Sequence, residues 1–232
     1  MRLATALALG ATLATRAQGE PPGTRAAPDA AVVVGSVRVL ERGFFGGLQE
    51  AEERGGVLVY LTGYREPAPD QVASLRQRHE SFDPRLLPIV AGQTVVFPNE
   101  DPIYHNVFSV SPVQPFDLGQ YKASEAPRSQ VFERPGLVPV YCNIHPKMIS
   151  YVVVLENRAF TSTDASGGFE IRGVPVGRVT LNAWVPGAER VSRDLELAAG
   201  ERVHVELELQ VQGIPPHKRK DGSRYPDKYR PR

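Results

Sequence analysis

Apolar and polar positions alternate in short runs along most of the chain. Residues 32–40 are β-branched and partly alternating, and residues 55–64 (GGVLVYLTGY) read as a strand opened by two glycines. Between them, FFGGLQEAEERGG reads as a long irregular connection. Residues 69–80 hold the one helical pattern, with Val72, Leu75 and His79 at helical spacing and no longer apolar stripe behind them. The strand rhythm returns at 85–90, 94–98, 105–109, 129–133, 138–142 and 151–156. A second series follows at 160–163, 169–171, 179–185, 192–197 and 202–211, with a turn at 164–168. Short alternating strands at close spacing, punctuated by Gly, Pro and Asp, predict an all-β chain of sandwiches with one buried and one wet face per sheet.

A break near Asn157 and Arg158 separates the two series. This gives a ligand-bearing core over 82–157, within a unit spanning 31–157, and a small second sandwich over 158–212. About 55 residues is small for an independent core, so the second unit should pack on the first. Residues 31–64 read as an N-terminal extension of the first unit. The alternative pairs them with the C-terminal strands and leaves the middle unit inserted. Residues 1–19 resemble an export signal, with Arg2, an apolar run over 3–13 and small residues from Ala17 to Gly19. That run is too short to span a bilayer. The expected location is therefore periplasmic or otherwise exported, with no transmembrane segment in the mature chain. Residues 20–30 (EPPGTRAAPDA) read as a linker.

Charge adds an asymmetry. The chain carries +1 overall, the signal region holds two cations and no anion, and residues 213–232 hold seven cations and two anions, leaving −6 for residues 20–212. The whole-molecule charge gives no case for nucleic acid. The basic tail is either a solvated end or a docking element for an acidic partner or surface.

The chemistry is concentrated in four residues. The single cysteine, Cys142, lies in CNIHPKM (142–148) with His145 and Met148, and His105 follows a strand in NEDPIYHNVFS (99–109). A thiolate and two imidazoles with a weak axial thioether form the ligand set of a mononuclear copper electron-transfer site. The soft sulfurs hold Cu(I), and the imidazoles also suit Cu(II). Zinc is the competing ion, but it more often takes four strong ligands, or three with water. Met148 favours copper. Pro146 stiffens the loop by fixing its own φ.

The stretch from 82 to 156 resembles the cupredoxins, the plastocyanin, azurin and amicyanin group. The resemblance rests on GQTVVFPN (92–99), HNVF (105–108) and CNIHPKM (142–148). It implies a Greek-key β-sandwich binding one copper ion through His105, Cys142, His145 and Met148. Asn106 and Pro146 match family positions beside the ligands, and Asn99 is a further supporting candidate. The resemblance also implies one-electron exchange with a redox protein partner through the edge of His145. More narrowly, FDP (82–84), FDLG (116–119) and NIHPKM (143–148) resemble exported plastocyanin-like methylamine utilization proteins. TDASGGFEIRGVPVG (163–177) resembles the transthyretin-type regulatory sandwich found beside carboxypeptidases, without peptidase residues.

Val107, Phe108, Ile144 and Pro146 are expected to form an apolar rim, and Tyr104 and Tyr141 to pack beside the ligands. His79 and His204 read as surface residues, and His217 as part of the tail. No nucleophile elbow, phosphate loop or dinucleotide glycine pattern is present. The reading is a non-enzymatic one-electron carrier. Copper trafficking, storage or sensing, a structural module, and a redox subunit of a larger enzyme remain the alternatives.

Overall fold

A computed structural model describes residues 29–44, 46–52 and 54–226. The expected export signal, the expected linker up to residue 28 and the tail from 227 to 232 lie outside the described residues. In chain order the strands begin with β1 (Ala31–Arg42), β2 (Leu48–Glu50) and β3 (Leu58–Thr62). A middle group follows: β4 (Ala73–Ser74), β5 (Arg76–Arg78), β6 (Ser81–Asp83), β7 (Leu86–Val90), β8 (Gln93–Phe97), β9 (His105–Ser109), β10 (Phe116–Tyr121), β11 (Arg128–Phe132), β12 (Gly136–Cys142) and β13 (Ile149–Leu155). The last group is β14 (Phe160–Ser162), β15 (Gly168–Val174), β16 (Gly177–Trp184), β17 (Val191–Leu197) and β18 (Arg202–Gln210). No helix occurs among the described residues, and the all-β class, a cupredoxin-like sandwich with a second β unit, is the expected one.

The middle group forms a five-stranded sheet, β10-β9-β12-β13-β7, facing a three-stranded sheet, β11-β8-β4. The chain crosses between these sheets after β7, β8, β10 and β11, and β13 closes beside β7 in parallel. Their inner faces bury Phe97, Tyr121, Phe132, Val138, Val140 and Val152. Each such large side chain contributes ~1.5–3 kcal/mol when fully buried.

Residues 69–80 do not form the expected helix. Ser74, Arg76 and Arg78 face solvent while Leu75 and Gln77 are buried, a period of two. The Leu75 and Gln77 amides donate to Val96 and Pro98 carbonyls at 2.9 Å each, so the segment follows the edge of β8. Val72 is exposed, and the presumed helical stripe has no core to face.

Strand pairing also differs from grouping residues 31–64 with the unit that ends at 157. β1 lies between β15 and β18, and β3 lies between β14 and β16. Without β1 and β3 the C-terminal strands would lack the middle of both their sheets. The two N-terminal strands complete this second core, where Val33, Val59, Leu61, Ile171, Leu181 and Leu209 meet. Gly35 allows the close approach of β1 to β18, since a Cβ there would lie 1.7 Å from the Val205 carbonyl oxygen.

The ligand-bearing unit is thus inserted into the second sandwich, and its two ends lie side by side. The Glu66 amide donates to the Glu156 carbonyl at 2.9 Å, and Asn157 Nδ2 donates to the Leu61 and Tyr64 carbonyls at 3.1 and 3.0 Å. Leu58, Tyr60, Val153 and Leu155 pack between the units, joined by Trp184. Adjacent ends are what permit one domain to sit inside another.

Candidate metal centre

The site lies at one end of the ligand-bearing sandwich. Along β12, Val138, Val140 and Cys142 are buried in alternation, so the cysteine side chain follows the core face to the end of its strand. Register places Cys142 beside Val107 of β9, whose first residue is His105. The next residues turn tightly: the Met148 amide donates to the His145 carbonyl, and the Cys142 amide to the Met148 carbonyl, both at 3.2 Å. The Asn143 amide donates to the Asn106 carbonyl at 3.0 Å and ties this loop to β9.

Three candidate ligand atoms converge. His105 Nδ1 and His145 Nδ1 are 3.0 Å apart, and Cys142 Sγ is 3.8 and 3.6 Å from them. His105 and Cys142 are fully buried, whereas the His145 side chain keeps 11% of its surface exposed. An ion bonded to nitrogens at about 2.0 Å and to sulfur at about 2.3 Å would hold such atoms ~3.3–3.7 Å apart at tetrahedral to trigonal angles. The observed 3.0, 3.6 and 3.8 Å bracket that range, so shifts of a few tenths of an ångström would let the donor set hold one transition-metal ion. Met148 is fully buried in the core beneath the loop.

The first histidine is fixed from behind. His105 Nε2 lies 2.9 Å from Asp101 Oδ2, so this nitrogen carries a proton, and Nδ1 is the nitrogen that faces the cluster. Asp101 also accepts the amides of His79 and Glu80 at 2.7 and 2.9 Å. Those two residues have φ of 53° and 54°, a left-handed pair that the carboxylate holds in place. Asn99 shapes the same loop: Oδ1 accepts the Asp101 amide at 2.9 Å, and Nδ2 donates to the Ile103 and Tyr121 carbonyls at 3.0 and 2.9 Å.

Electrostatics separate the two histidines. Burial opposes charge on His105, but its contacts with Cys142 and Asp101 outweigh burial and raise its pKa. Burial likewise pushes the Cys142 thiol up, and hydrogen bonds from His105 and from the Asn106, Ile144 and His145 backbone more than reverse this. Burial, and then repulsion from His105, lower the pKa of His145. Burial raises the Asp101 carboxyl, but the Glu80 amide, His105 and the His79 amide together hold it below its ordinary value. These shifts lean Cys142 toward thiolate and His145 toward neutral imidazole, the forms that bind metal, while the raised His105 pKa leans that ring toward the protonated form that a metal must displace.

Of the supporting residues, Asn106 Nδ2 donates to Asp117 Oδ1 at 2.7 Å and to the Gly119 carbonyl at 3.0 Å. Pro146 is half-buried in the turn between His145 and Met148. Val107 and Phe108 are buried in the core and form no rim; Ile144 and Pro146 are half-buried, and Ile103 and Tyr104 are the exposed apolar residues of the neighbouring loop. His79 and His204 face solvent outside the cluster. His217 does not sit on a free tail: its ring stacks on Tyr141 at 4.4 Å. Sequence reasoning missed Asp101 as a partner of His105, though it stands four residues before it. It also missed Lys220 and Tyr225, which reach the ligand loop from the far end of the chain.

No family model and no curated protein matches the chain. Solved structures do match. A copper-containing nitrite reductase from Thermus scotoductus SA-01 is 27% identical with a TM-score of 0.35, over 37% of this chain and 23% of that one. This chain therefore spans less than a quarter of that reductase. A purple cupredoxin from Nitrosopumilus maritimus is 26% identical with a TM-score of 0.33, over 35% of this chain and 98% of that one. A copper(I) amicyanin mutant is 22% identical with a TM-score of 0.34, over 41% of this chain and 97% of that one.

Proposed function

We propose that this chain is a mononuclear thiolate-copper protein that carries single electrons between protein partners outside the cytoplasm. The observation that carries this reading is the convergence of His105 Nδ1, His145 Nδ1 and Cys142 Sγ within 3.8 Å of one another. Met148, in the same loop, supplies the thioether that favours copper over zinc. Bound copper would supply a one-electron couple. The protein's part is to hold the ligands so that little moves when charge changes: Asp101 locks the His105 ring, and the backbone of residues 142–148 closes on itself. The burial of His105 and Cys142 opposes ready metal exchange, which supports a carrier over a trafficking protein. The exposed edge of His145 is the natural place for an electron to enter and leave. Its partner would bind there through a small, transient contact. Export follows from the character of residues 1–19, and no helix among the described residues is long and apolar enough to cross a membrane.

The test is the visible and paramagnetic resonance spectrum of residues 20–232 with one equivalent of Cu(II), before and after ascorbate. An intense visible band that bleaches and returns, with narrow copper hyperfine splitting, is expected. A colourless adduct with ordinary tetragonal parameters would refute the assignment.

A further inference from the structure

The C-terminal tail leaves the second sandwich and returns to the metal centre of the first. The Gln212 amide still donates to the Gly187 carbonyl at 2.7 Å, within the second unit. From there the chain crosses to the ligand loop. His217 stacks on Tyr141, the residue before Cys142, at 4.4 Å and 23°. His217 Nε2 lies 3.1 Å from the Tyr225 hydroxyl, which donates to the Cys142 carbonyl oxygen at 2.5 Å. The Lys220 amide donates to Asn143 Oδ1 at 2.9 Å. Lys220 Nζ meets Asp117 at 2.6 Å, and Asp117 also accepts the Asn106 side chain. The tail is itself shaped by a turn in which the Gly222 amide donates to the Arg219 carbonyl at 2.9 Å. Tyr225 is buried, although it lies thirteen residues beyond Gln212 in the chain.

We infer that this tail is a strap on the metal centre and that Tyr225 is a positioning residue for Cys142, an inference that rests on the copper reading above. The Cys142–Asn143 segment is held from both sides. From within the sandwich, the Met148 carbonyl receives the Cys142 amide and the Asn106 carbonyl receives the Asn143 amide. From the tail, Tyr225 and Lys220 donate to the Cys142 carbonyl and the Asn143 side chain. The Tyr225 hydroxyl points the positive end of its dipole at the ligand residue, and both residues are buried. There it favours the reduced state, in which the centre carries one more electron. The strap also limits how far the Cys142 backbone can move when metal is absent. The chain thereby makes the copper centre depend on a segment that belongs to the other sandwich.

The experiment compares three forms of residues 20–232: unaltered, Tyr225→Phe, and a chain ending at Gln212. Tyr225→Phe keeps the ring and its packing and removes only the hydroxyl. Two readouts are taken. In the metal-free proteins, the rate at which Cys142 reacts with an aromatic disulfide reports access to the thiol. It should rise by roughly fivefold in Tyr225→Phe, the effect of one hydrogen bond, and further in the shortened chain. In the copper-loaded proteins, Tyr225→Phe should move the thiolate–copper band and lower the reduction potential. A change of up to tenfold in the Cu(I)/Cu(II) preference corresponds to about 59 mV. Unchanged thiol rates and unchanged potential in both altered forms would overturn the inference. If the unaltered protein shows no thiolate–copper band, the copper reading falls, and the thiol rates still decide whether the tail straps the loop.

Discussion

Each sandwich turns its chain through a polar loop, and the two loops differ in where their donors and acceptors point. In the second sandwich, Asp164 Oδ1 accepts the Ser166 amide at 2.8 Å, the Ser166 hydroxyl at 2.6 Å and the Gly168 amide at 2.9 Å. Those contacts lie within five residues, lower the Asp164 carboxyl below its ordinary value and leave it fully exposed. The loop satisfies itself. In the ligand-bearing sandwich, residues 99–105 and 142–148 are also closed by backbone and Asn99 hydrogen bonds, yet three side-chain atoms are left facing a common point. A carboxylate that spends its oxygens on its own turn builds shape. A carboxylate that spends them on another residue's ring, as Asp101 does on His105, builds a site.

The contrast can be broken in four ways. Cys142→Ser should abolish the visible band of the Cu(II) form outright, because the thiolate supplies it; colour that survives would remove Cys142 from the ligand set. Leu181→Ala, in the core of the second sandwich, should cost ~2–5 kcal/mol in denaturant unfolding and leave the metal spectrum of the surviving folded protein unchanged. Asp101→Asn should weaken copper by roughly 10–100-fold in competition with a chelator, the usual cost of losing a carboxylate behind a ligating histidine. Asp164→Asn should not change copper affinity, and equal losses in the two variants would erase the distinction drawn between the loops.

A smaller effect, on stability, concerns pH. Burial opposes ionisation of Asp117, but the Lys220 ammonium and the Asn106 amide overcome it and hold its pKa below the ordinary 3.8. The native value lies below the unfolded one. The stabilisation is therefore complete above the ordinary value and fades as pH falls through the depressed native value. Both side chains are 42% exposed, so the contribution is at most about 1 kcal/mol. The stability advantage over Asp117→Asn should be constant near neutrality and shrink only in strong acid. An advantage that ran unchanged into strong acid would show that the carboxylate charge contributes nothing.

Much of this was legible in residue patterns. Period-two alternation identified the long strands, and the short gaps from Cys142 to His145 to Met148 are visible without coordinates. The region 69–80 misled because helical spacing of Val72, Leu75 and His79 coincides with a strand edge in which Leu75 and Gln77 are the buried pair. The partners of β1 were underdetermined, since a Val-rich strand fits the middle of either sheet equally well. The tail was hidden for a different reason. Its Lys, Arg and Asp residues look solvated, and nothing local indicates that a tyrosine hydroxyl will meet a carbonyl 83 residues away in the chain.

The parallel pairing of β1 with β18 has a consequence in time as well as in space. β1 also pairs with β2 and β15, but its long parallel edge is filled only when the last strand exists, so the second sandwich carries the longest loop closures among the described residues. The ligand-bearing unit is one contiguous stretch and can close its own sheets while β1 still waits. Pulse-labelled hydrogen exchange during refolding should therefore protect β12 and β13 before β1; simultaneous protection would contradict that order. Tyr225 lies beyond β18, outside the contiguous ligand-bearing unit. Whatever setting it gives Cys142 is added to a site whose sheets are complete without it.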